Sequence, residues 1–365
     1  MGHELASRTA EGAVLGLRAA LRAVAPLVGR RAVEAAGAAQ PLERFGLLGD
    51  PPTISGCEPL EAPGARPMAV GIDPGVSAFL DGVQRSRILG HVAGAPIVFA
   101  TVAAVVRERG KAANAPRVLT TWDAPLVTHL VLASRATIGE SAWGELEGAG
   151  LSPVDLSTPP RGAQGTGPTG EAEPMHPLIV RSRALDLVAQ ERESIERRLA
   201  ARWCGRETRW LWIDGGISGN LSVDATTTAF GVVKSHHTLY GDAVMMHATL
   251  ALAVGERSPI FLVQHKARRA VASWYLRLHQ ADDGDPLHGL VRVEVAPPPG
   301  LFAPHDKDRT TPDAAALAHL SSRANEVSAW ILAERGPLAL PDPRWDTLTY
   351  GVYACEQYLK ALIGA

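Results

Sequence analysis

The stretch AVGIDPGVSAFLDGVQRSRILGHVAGAPIVFATVAAVVRERG, residues 69–110, indicates how the chain folds. It holds three strand-like apolar runs, which are separated by Asp81-Gly82 and by Gly94-Ala95-Pro96. An Asp-Gly pair between two such runs is a strong signal for a two-residue turn. We therefore predict an antiparallel meander that opens a sheet, with a turn at Asp81-Gly82.

The rest of the chain predicts a mixed α/β fold. Helical spacing covers residues 181–203, and the runs RWLWIDGGISGN, TTAFGVVKS, IFLVQ and LVRVEV predict strands. A helix is expected after IFLVQ, through Trp274 and Leu278, and two more near residues 314–334 and 347–363. A meander followed by strand–helix alternation is typical of a mixed sheet flanked by helices, and not of a doubly wound nucleotide-binding sheet.

The sequence also divides along its length. Residues 1–50 predict a helical extension, because their apolar residues recur at helical spacing. Residues 51–67 are rich in Pro and Gly and predict a linker, and residues 68–365 form the main domain. Within it, the Pro-, Gly- and Thr-rich segment 156–177 predicts a mobile surface loop.

Composition limits the function classes. The chain has 365 residues, 46% of them apolar, and its three cysteines are too widely spaced for a disulfide framework or a zinc site. We expect a cytoplasmic protein, because neither a signal pattern nor a membrane-length apolar run occurs. The net charge of -2 leaves nucleic acid open, since a local basic groove is sufficient for binding.

Two aspartates and one helical glutamate form the candidate site. The run AFLDG ends at Asp81 and LWIDGG ends at Asp214, and the helix between them carries Glu191 near its apolar face and Glu196 at the edge of that face. Such an oxygen-only set suits Mg²⁺ or Mn²⁺, and two ions roughly 3.5–4 Å apart can hydrolyse a phosphodiester. The alternative is that the aspartates are turn residues and Glu191 pairs with an arginine.

Basic residues accompany the carboxylates. Arg85 and Arg87 follow Asp81, Arg181 lies early in the charged helix, and Lys234 ends the strand after Asp214. These four are the candidates for contact with DNA phosphates. For most helical arginines, a solvated face with Glu–Arg pairs is the competing interpretation.

The order of these motifs resembles that of the NurA nucleases, from about Val70 to the end of the chain. AFLDG, the charged helix, LWIDGG and FGVVKS carry the resemblance, followed by YLRLH, LVRVEV and a terminal helix after PDPRWDTLTYG. The resemblance implies an RNase H-like fold and a metal-dependent site. Asp81 and Asp214 would be metal ligands, a helical glutamate the third, with Glu191 favoured over Glu196, and Lys234 would lie beside the substrate phosphate.

The same resemblance implies partners. NurA proteins work as homodimers on a hexameric HerA-type DNA-translocating ATPase, and they process DNA ends for repair or for defence against phage. We therefore expect DNA, such a motor and a second copy of the chain as partners, and no membrane.

Two departures from the family pattern favour a second hypothesis. Val83 and Gly216 stand where the family has serine, and the C-terminal segment RWDTLTYGVYACEQYLK lacks the family's histidine. Asp346, Tyr353 and Glu356 are candidates to replace it. A degenerate, non-catalytic adaptor subunit of the motor is therefore the alternative function.

Two further resemblances compete. The segment GIDPG, residues 71–75, is similar to the opening of RuvC-like resolvases, which would make Asp73 the catalytic aspartate instead of Asp81. We prefer Asp81, since Pro74-Gly75 is typical of a turn. The segment IDGGISGN fits a phosphate loop of an actin-like ATPase, but neither a Walker-type lysine loop nor a second glycine-rich loop accompanies it.

Overall fold

Most of the strands join in one large mixed sheet. The computed structural model describes residues 19–27, 53–69, 75–110, 118–157, 175–224, 226–236, 238–265, 268–281, 286–302, 311–335, 347 and 349–364. The strands are β1 (Thr53–Ser55), β2 (Glu58–Pro59), β3 (Arg66–Pro67), β4 (Ala78–Val92), β5 (Ala95–Arg109), β6 (Leu119–Thr121), β7 (Leu126–Ala133), β8 (Pro153–Asp155), β9 (Leu211–Asp214), β10 (Ala229–Val233), β11 (Thr238–Tyr240), β12 (Glu256–Arg257), β13 (Phe261–His265), β14 (Arg268–Arg277) and β15 (Leu290–Val295). The helices are α1 (19–27), α2 (Arg135–Gly148), α3 (Pro177–Cys204), α4 (Ala243–Leu250), α5 (Ala314–Glu334) and α6 (Tyr350–Ile363).

The strand order confirms the mixed α/β class. The main path of the sheet runs β2-β13-β14-β15-β10-β9-β4-β5-β7-β8, while β1 and β11 form a separate parallel pair. The pairs β4–β9, β9–β10 and β7–β8 are parallel, and the other pairs on the path are antiparallel. The first strand of the meander, β4, is therefore central, between β5 and β9.

The turn predicted at Asp81-Gly82 is wrong. Both residues lie inside the continuous strand β4, opposite Val105 and Ala104 of β5. The turn is instead at Ala93-Gly94, where both residues have positive φ, 49° and 80°. Asp-Gly stays extended because β5 is an unbroken buried strand that pairs along the whole length of β4.

The helix predicted through Trp274 and Leu278 is also wrong. Residues 268–277 form β14, which is hydrogen-bonded to β13 on one side and to β15 on the other. Its side chains alternate between the faces of the sheet, with Trp274 in one apolar cluster and Tyr275 in the other. Burial on both faces hides the period of two that would have marked a strand in the sequence.

Helices cover both faces of the sheet. On one face, α3 packs its residues Val188, Ile195 and Leu199 against a cluster that includes Leu80 and Ile213. On the other face, α5 and α6 pack against Phe79 and Trp212. These two faces are called here the α3 face and the α6 face.

Other expectations are met in part. The predicted helices at 181–203, 314–334 and 347–363 are confirmed as α3, α5 and α6. The helical extension contributes α1, whose Ala20 and Val24 pack on the far end of the β4–β5 hairpin. The expected linker contains the short strands β1 to β3. Most of the expected mobile loop, together with Asp73 and Asp346, lies outside the described residues.

None of the helices in the described part of the chain combines the length and the apolar character that crossing a bilayer demands.

Candidate metal and DNA-binding site

Asp81 and Asp214 are neighbours on adjacent parallel strands. The pairing of Leu80 with Ile213 puts the next residue of each strand, Asp81 and Asp214, side by side. Since Phe79 and Trp212 belong to the cluster under α6, strand alternation places both aspartates on the α6 face. The strand β9 ends at Asp214, because Gly215 has a φ of +121°. The structure thus brings together the two aspartates that the sequence singled out.

Lys234 completes this pair from the next strand. Asp214 lies opposite Val232 of β10, and Lys234 follows just after the end of that strand. The Lys234 Nζ lies 2.8 Å from Asp214 Oδ1. One of the predicted phosphate-binding residues is therefore directly at the site, where it compensates a carboxylate charge.

The Asp81 carboxylate is costly to keep charged. It is only 6% exposed, and its Oδ1 accepts a hydrogen bond of 2.7 Å from the backbone N–H of Gly82. Burial, and then the neighbouring charge of Asp214, raise the pKa of Asp81 well above its ordinary value, although Lys234 acts in the opposite direction. A cation bound between the two aspartates would relieve both unfavourable effects.

Glu196 approaches the same point from the α3 face. A Cβ added to Gly82 would lie 2.2 Å from Glu196 Oε1, so the glutamate rests on the bare backbone of β4. Arg192, one helical turn earlier, donates a hydrogen bond of 2.6 Å to that same oxygen. Burial, opposed by Arg192 and assisted by Asp214, raises the pKa of Glu196 to about 7.

Glu191, which the sequence ranked above Glu196, lies elsewhere. Its side chain is 29% exposed and forms an ion pair of 3.5 Å with Arg198 on the outer side of α3. Glu196 is 9% exposed and lies beside the buried Ile195. The structure therefore places Glu196, and not Glu191, against β4, because α3 is rotated so that residue 196 faces that strand.

Two small cavities meet at Asp214. The carboxylate cavity, of about 140 Å³, is lined by Asp81, Gly82, Val83, Arg192, Asp214, Lys234, Thr347 and Glu356. The arginine cavity, of about 180 Å³, is lined by Arg192, Glu193, Glu196, Arg197, Ile213, Asp214, Gly215, Gly216, Gly219, Asn220 and Arg268. Asp214 and Arg192 belong to both linings, so the two cavities are neighbours.

Glu356 brings a third carboxylate to the α6 face. It projects from α6 into the carboxylate cavity, and it forms an ion pair of 3.1 Å with Lys360. Of the three residues suggested as replacements for the missing histidine, Glu356 lines this cavity, Tyr353 does not, and Asp346 lies outside the described residues.

The other predicted DNA-binding residues lie farther away. Arg85 is on the same side of β4 as Asp81 but roughly 13 Å along the strand, at 3.3 Å per residue, and it donates to the carbonyl of Gly364. Arg87 is two residues beyond it. Arg181 is separated from Glu196 by roughly 22 Å of helix, at 1.5 Å per residue. Arg85 and Arg87 can reach only a neighbouring phosphate, and Arg181 belongs to a different surface.

A buried glutamate holds the loop after Asp214. Glu294 of β15 is 2% exposed, and its Oε2 accepts a hydrogen bond of 2.7 Å from the backbone N–H of Ile217. Its other oxygen accepts from Arg292. Because this loop amide is already used by Glu294, it is not available for a nucleotide phosphate, which counts against the actin-like hypothesis.

The donor chemistry fits a hard divalent cation. Carboxylate oxygens with no sulfur or imidazole are what Mg²⁺ and Mn²⁺ prefer. Asp81 and Asp214 would supply the central pair of oxygen ligands, and Glu356 and Glu196 lie on either side of it. Among the described residues, however, no three His, Cys, Asp or Glu side chains are arranged so that they could hold an ion together as they stand. Lys234 and Arg192 occupy part of the carboxylate oxygens instead.

The sequence-based prediction ranked Glu196 second and missed Glu294 and Arg268. The Arg192–Glu196 pair is visible in the sequence as an i,i+4 spacing, and this was the available signal for Glu196. The roles of Glu294 and Arg268 depend on strand pairing, and no local pattern marks them. The role of Gly82 depends on how closely α3 approaches β4.

No protein-family model and no curated protein sequence matches this chain, so its function has to be inferred from the site itself.

Proposed function

We propose that the protein is a divalent-metal-dependent deoxyribonuclease of the RNase H-like class, which hydrolyses phosphodiester bonds at DNA ends. The observation that carries the proposal is the pair of the buried Asp81, inside β4, and the half-buried Asp214, at the end of the adjacent parallel strand β9, with Lys234 beside Asp214. Mn²⁺ or Mg²⁺, as one ion or two, would lower the pKa of an attacking water and stabilise charge on the phosphate oxygens.

The residues of the chain would position this chemistry. The Gly82 amide orients the Asp81 carboxylate, and Lys234 would release Asp214 Oδ1 when a cation binds between the two aspartates. Lys234 lies in the same cavity, where its ammonium group can move from Asp214 to a substrate phosphate. Glu356 and Glu196 are the two candidates for a further carboxylate ligand.

The test is DNA degradation by point variants that preserve shape. Asp81→Asn and Asp214→Asn should each reduce Mn²⁺-dependent degradation of linear DNA by at least about 100-fold, since each removes a charged metal ligand. Glu145→Gln, at an exposed position of α2, is the matched control and should behave as wild type. Wild-type rates in either aspartate variant, with the fold intact by circular dichroism, would refute the site.

A non-catalytic adaptor is the second candidate. It is favoured by the ion pairs Lys234–Asp214 and Arg192–Glu196, which satisfy two of the carboxylates without a metal. It predicts that the wild-type protein binds no Mn²⁺ and degrades no DNA, alone or with its motor. Isothermal titration with Mn²⁺ separates the two candidates.

The partners are proposed on the resemblance to NurA. We propose a homodimer that docks on a hexameric HerA-type ATPase, in DNA repair or in phage defence. In the described part of the helical extension, the apolar residues of α1 pack within the chain, on the β4–β5 hairpin and Trp143. Co-expression with a HerA-type ATPase, followed by mass measurement of the purified complex, tests both the partner and the copy number.

A further inference from the structure

Two arginines that line the arginine cavity with Asp214 form no ion pair with that aspartate. Arg192 pairs with Glu196, and Lys234 pairs with Oδ1 of Asp214. Arg197 of α3 and Arg268 at the start of β14 line the same cavity, and neither is ion-paired with a carboxylate of the described residues. Both are exposed, so they are accessible to a ligand.

The two guanidinium groups converge on one point of the backbone. A Cβ placed on Gly219 would lie 4.0 Å from Nη1 of Arg197 and 4.0 Å from both Nε and Cζ of Arg268. Two positive groups that approach the same point repel each other, and an anion bound between them would relieve this repulsion. Glu193, an exposed carboxylate of the same lining, is ion-paired with neither arginine. The arrangement therefore favours an external anion.

The fold holds both arginines in place. Arg197 Nε donates a hydrogen bond of 3.2 Å to the carbonyl of Glu193. The backbone N–H of Arg269 donates at 3.2 Å to the carbonyl of Ser218, which ties the start of β14 to the loop after Asp214. That loop is anchored in turn through Ile217 and Glu294. The backbone at the start of β14 is thus held beside the loop that follows Asp214.

We propose that Arg197 and Arg268 form a phosphate-binding subsite for the DNA strand, next to the phosphodiester that lies at Asp81 and Asp214. A guanidinium group matches two oxygens of a phosphate, which makes arginine well suited to this contact. The cavity of about 180 Å³ is below the roughly 300–1,000 Å³ of sites that enclose a whole small ligand, so it suits one phosphate of a longer strand. This inference rests on DNA being the substrate, as in the proposed function, and adds where the strand runs.

The experiment separates binding from cleavage. Fluorescence anisotropy measures the affinity of the full-length chain for a labelled single-stranded oligonucleotide, in EDTA and in the Asp81→Asn background. Arg197→Ala and Arg268→Ala should each weaken binding roughly tenfold, because each removes a charge-assisted hydrogen bond. The double variant should lower the salt slope of log K by about 0.7 for each phosphate that is no longer neutralised. Arg198→Ala, one position along α3 and paired with Glu191, is the matched control and should leave both quantities unchanged.

Each outcome has a distinct meaning. If the wild type degrades DNA but the double variant keeps its affinity and salt slope, the subsite is wrong and the nuclease proposal stands. If the wild type degrades no DNA but the double variant binds more weakly, the subsite stands and the nuclease proposal fails. Unchanged binding in the double variant but weaker binding in Arg198→Ala would also overturn the subsite. Arg197→Lys, which keeps the charge but not the planar fork, should recover only part of the affinity that Arg197→Ala removes.

Discussion

Glycine is required at position 82 because the Glu196 side chain lies against its backbone, and not because the chain turns there. The Glu196 carboxylate contacts the Gly82 backbone on one face of β4, and the Gly82 N–H donates a hydrogen bond to Asp81. A side chain at this position would displace the glutamate and would disturb the orientation of its neighbour. One glycine therefore allows acidic groups to approach from both faces of the sheet.

Substitution of this glycine should disturb the site more than the fold. We expect Gly82→Ala to move Glu196 away from Arg192, to cost about 1–3 kcal/mol of unfolding free energy through overpacking, and to reduce DNA degradation. The matched control is Gly144→Ala on α2, where an added Cβ meets nothing within 4 Å. Urea unfolding and nuclease rates check both variants. A fully active Gly82→Ala would show that Glu196 has no part in the reaction.

The identity of the third carboxylate can be decided by three glutamate variants. Glu356→Gln should lower the rate by about 10- to 100-fold, the range typical of residues that support a metal site, because it removes a carboxylate from the cavity that contains both aspartates. Glu191→Gln should stay near the wild-type rate, since that side chain pairs with Arg198 on the outside of α3. A large loss in Glu191→Gln with little loss in Glu196→Gln and Glu356→Gln would restore the original ranking from the sequence.

At the scale of elements, the buried ion pair between Glu61 and Arg257 connects the segment between β2 and β3 to β12 and to α5. The Glu61 carboxylate accepts hydrogen bonds from Arg257, Ser321 and the backbone N–H of Ile260, at 2.7–3.1 Å. Arg257 is 1% exposed, so its charge depends on Glu61 for compensation. Burial of Glu61 acts to raise its pKa, but these hydrogen bonds outweigh burial and lower the pKa to about 2.

The pH dependence of stability follows from this shift. The pKa of Glu61 is lowered on folding, from 4.5 to about 2, so its contribution to stability is complete above about pH 4.5 and is lost as the pH falls towards 2. At pH 7, Glu61→Gln should cost about 3–5 kcal/mol, because it leaves Arg257 buried without its partner. Urea unfolding at several pH values should show this difference shrinking below about pH 4.5. Glu58→Gln, at an exposed position of β2, should show no such change.

The packing of α6 is equally specific. A Cβ at Gly351 would lie 2.3 Å from Cζ of Phe79, so the start of this helix lies directly on the aromatic ring two residues before Asp81. Cys355, one turn later, donates to the Phe79 carbonyl at 3.5 Å. These contacts fix the helix that carries Glu356 relative to the strand that carries Asp81.

At the scale of the whole molecule, metal binding should be visible in global stability. A ligand that binds only the folded state adds about 2.7 kcal/mol at a hundred times its dissociation constant. We expect Mn²⁺ to raise the melting temperature of the wild type by several degrees, and to leave Asp81→Asn and Asp214→Asn unchanged. Differential scanning fluorimetry with and without EDTA measures this. An equal shift in all three proteins would place the bound metal elsewhere.

Without metal, in EDTA, we expect Asp81→Asn to be more stable than the wild type. Burial and Asp214 raise the pKa of Asp81, so folding must either protonate this carboxyl group or keep its charge beside another one. The resulting loss of stability grows as the pH rises above the ordinary pKa of an aspartate. Asp81→Asn should therefore unfold at a higher temperature than the metal-free wild type at pH 8, and the difference should narrow towards pH 4. A less stable Asp81→Asn would contradict this account.

The sequence predicted the elements whose signals are local. The helices α3, α5 and α6 show their spacing, and the Asp214 strand end has an apolar run followed by two glycines. The sequence-based prediction failed where pairing between strands determines the secondary structure. At Asp81-Gly82 an uninterrupted partner strand overrides the turn signal, and β14 lacks visible alternation because both of its faces are buried. The choice between Glu191 and Glu196 depended on the rotation of α3, which helical periodicity fixes only to within a residue or two.

The strand order also determines when, during synthesis of the chain, the residues of the proposed site can come together. Asp81 leaves the ribosome with the β4–β5 hairpin, but its neighbour β9 is made only after α2, β8 and α3, and β2 has to wait for β13. Pairings between strands so far apart in the chain form slowly. A nascent chain that has folded only its hairpin presents Asp81 without Asp214, Lys234 or Glu356. The proposed site can therefore assemble only late, when β9 and β10 have joined β4 in the sheet.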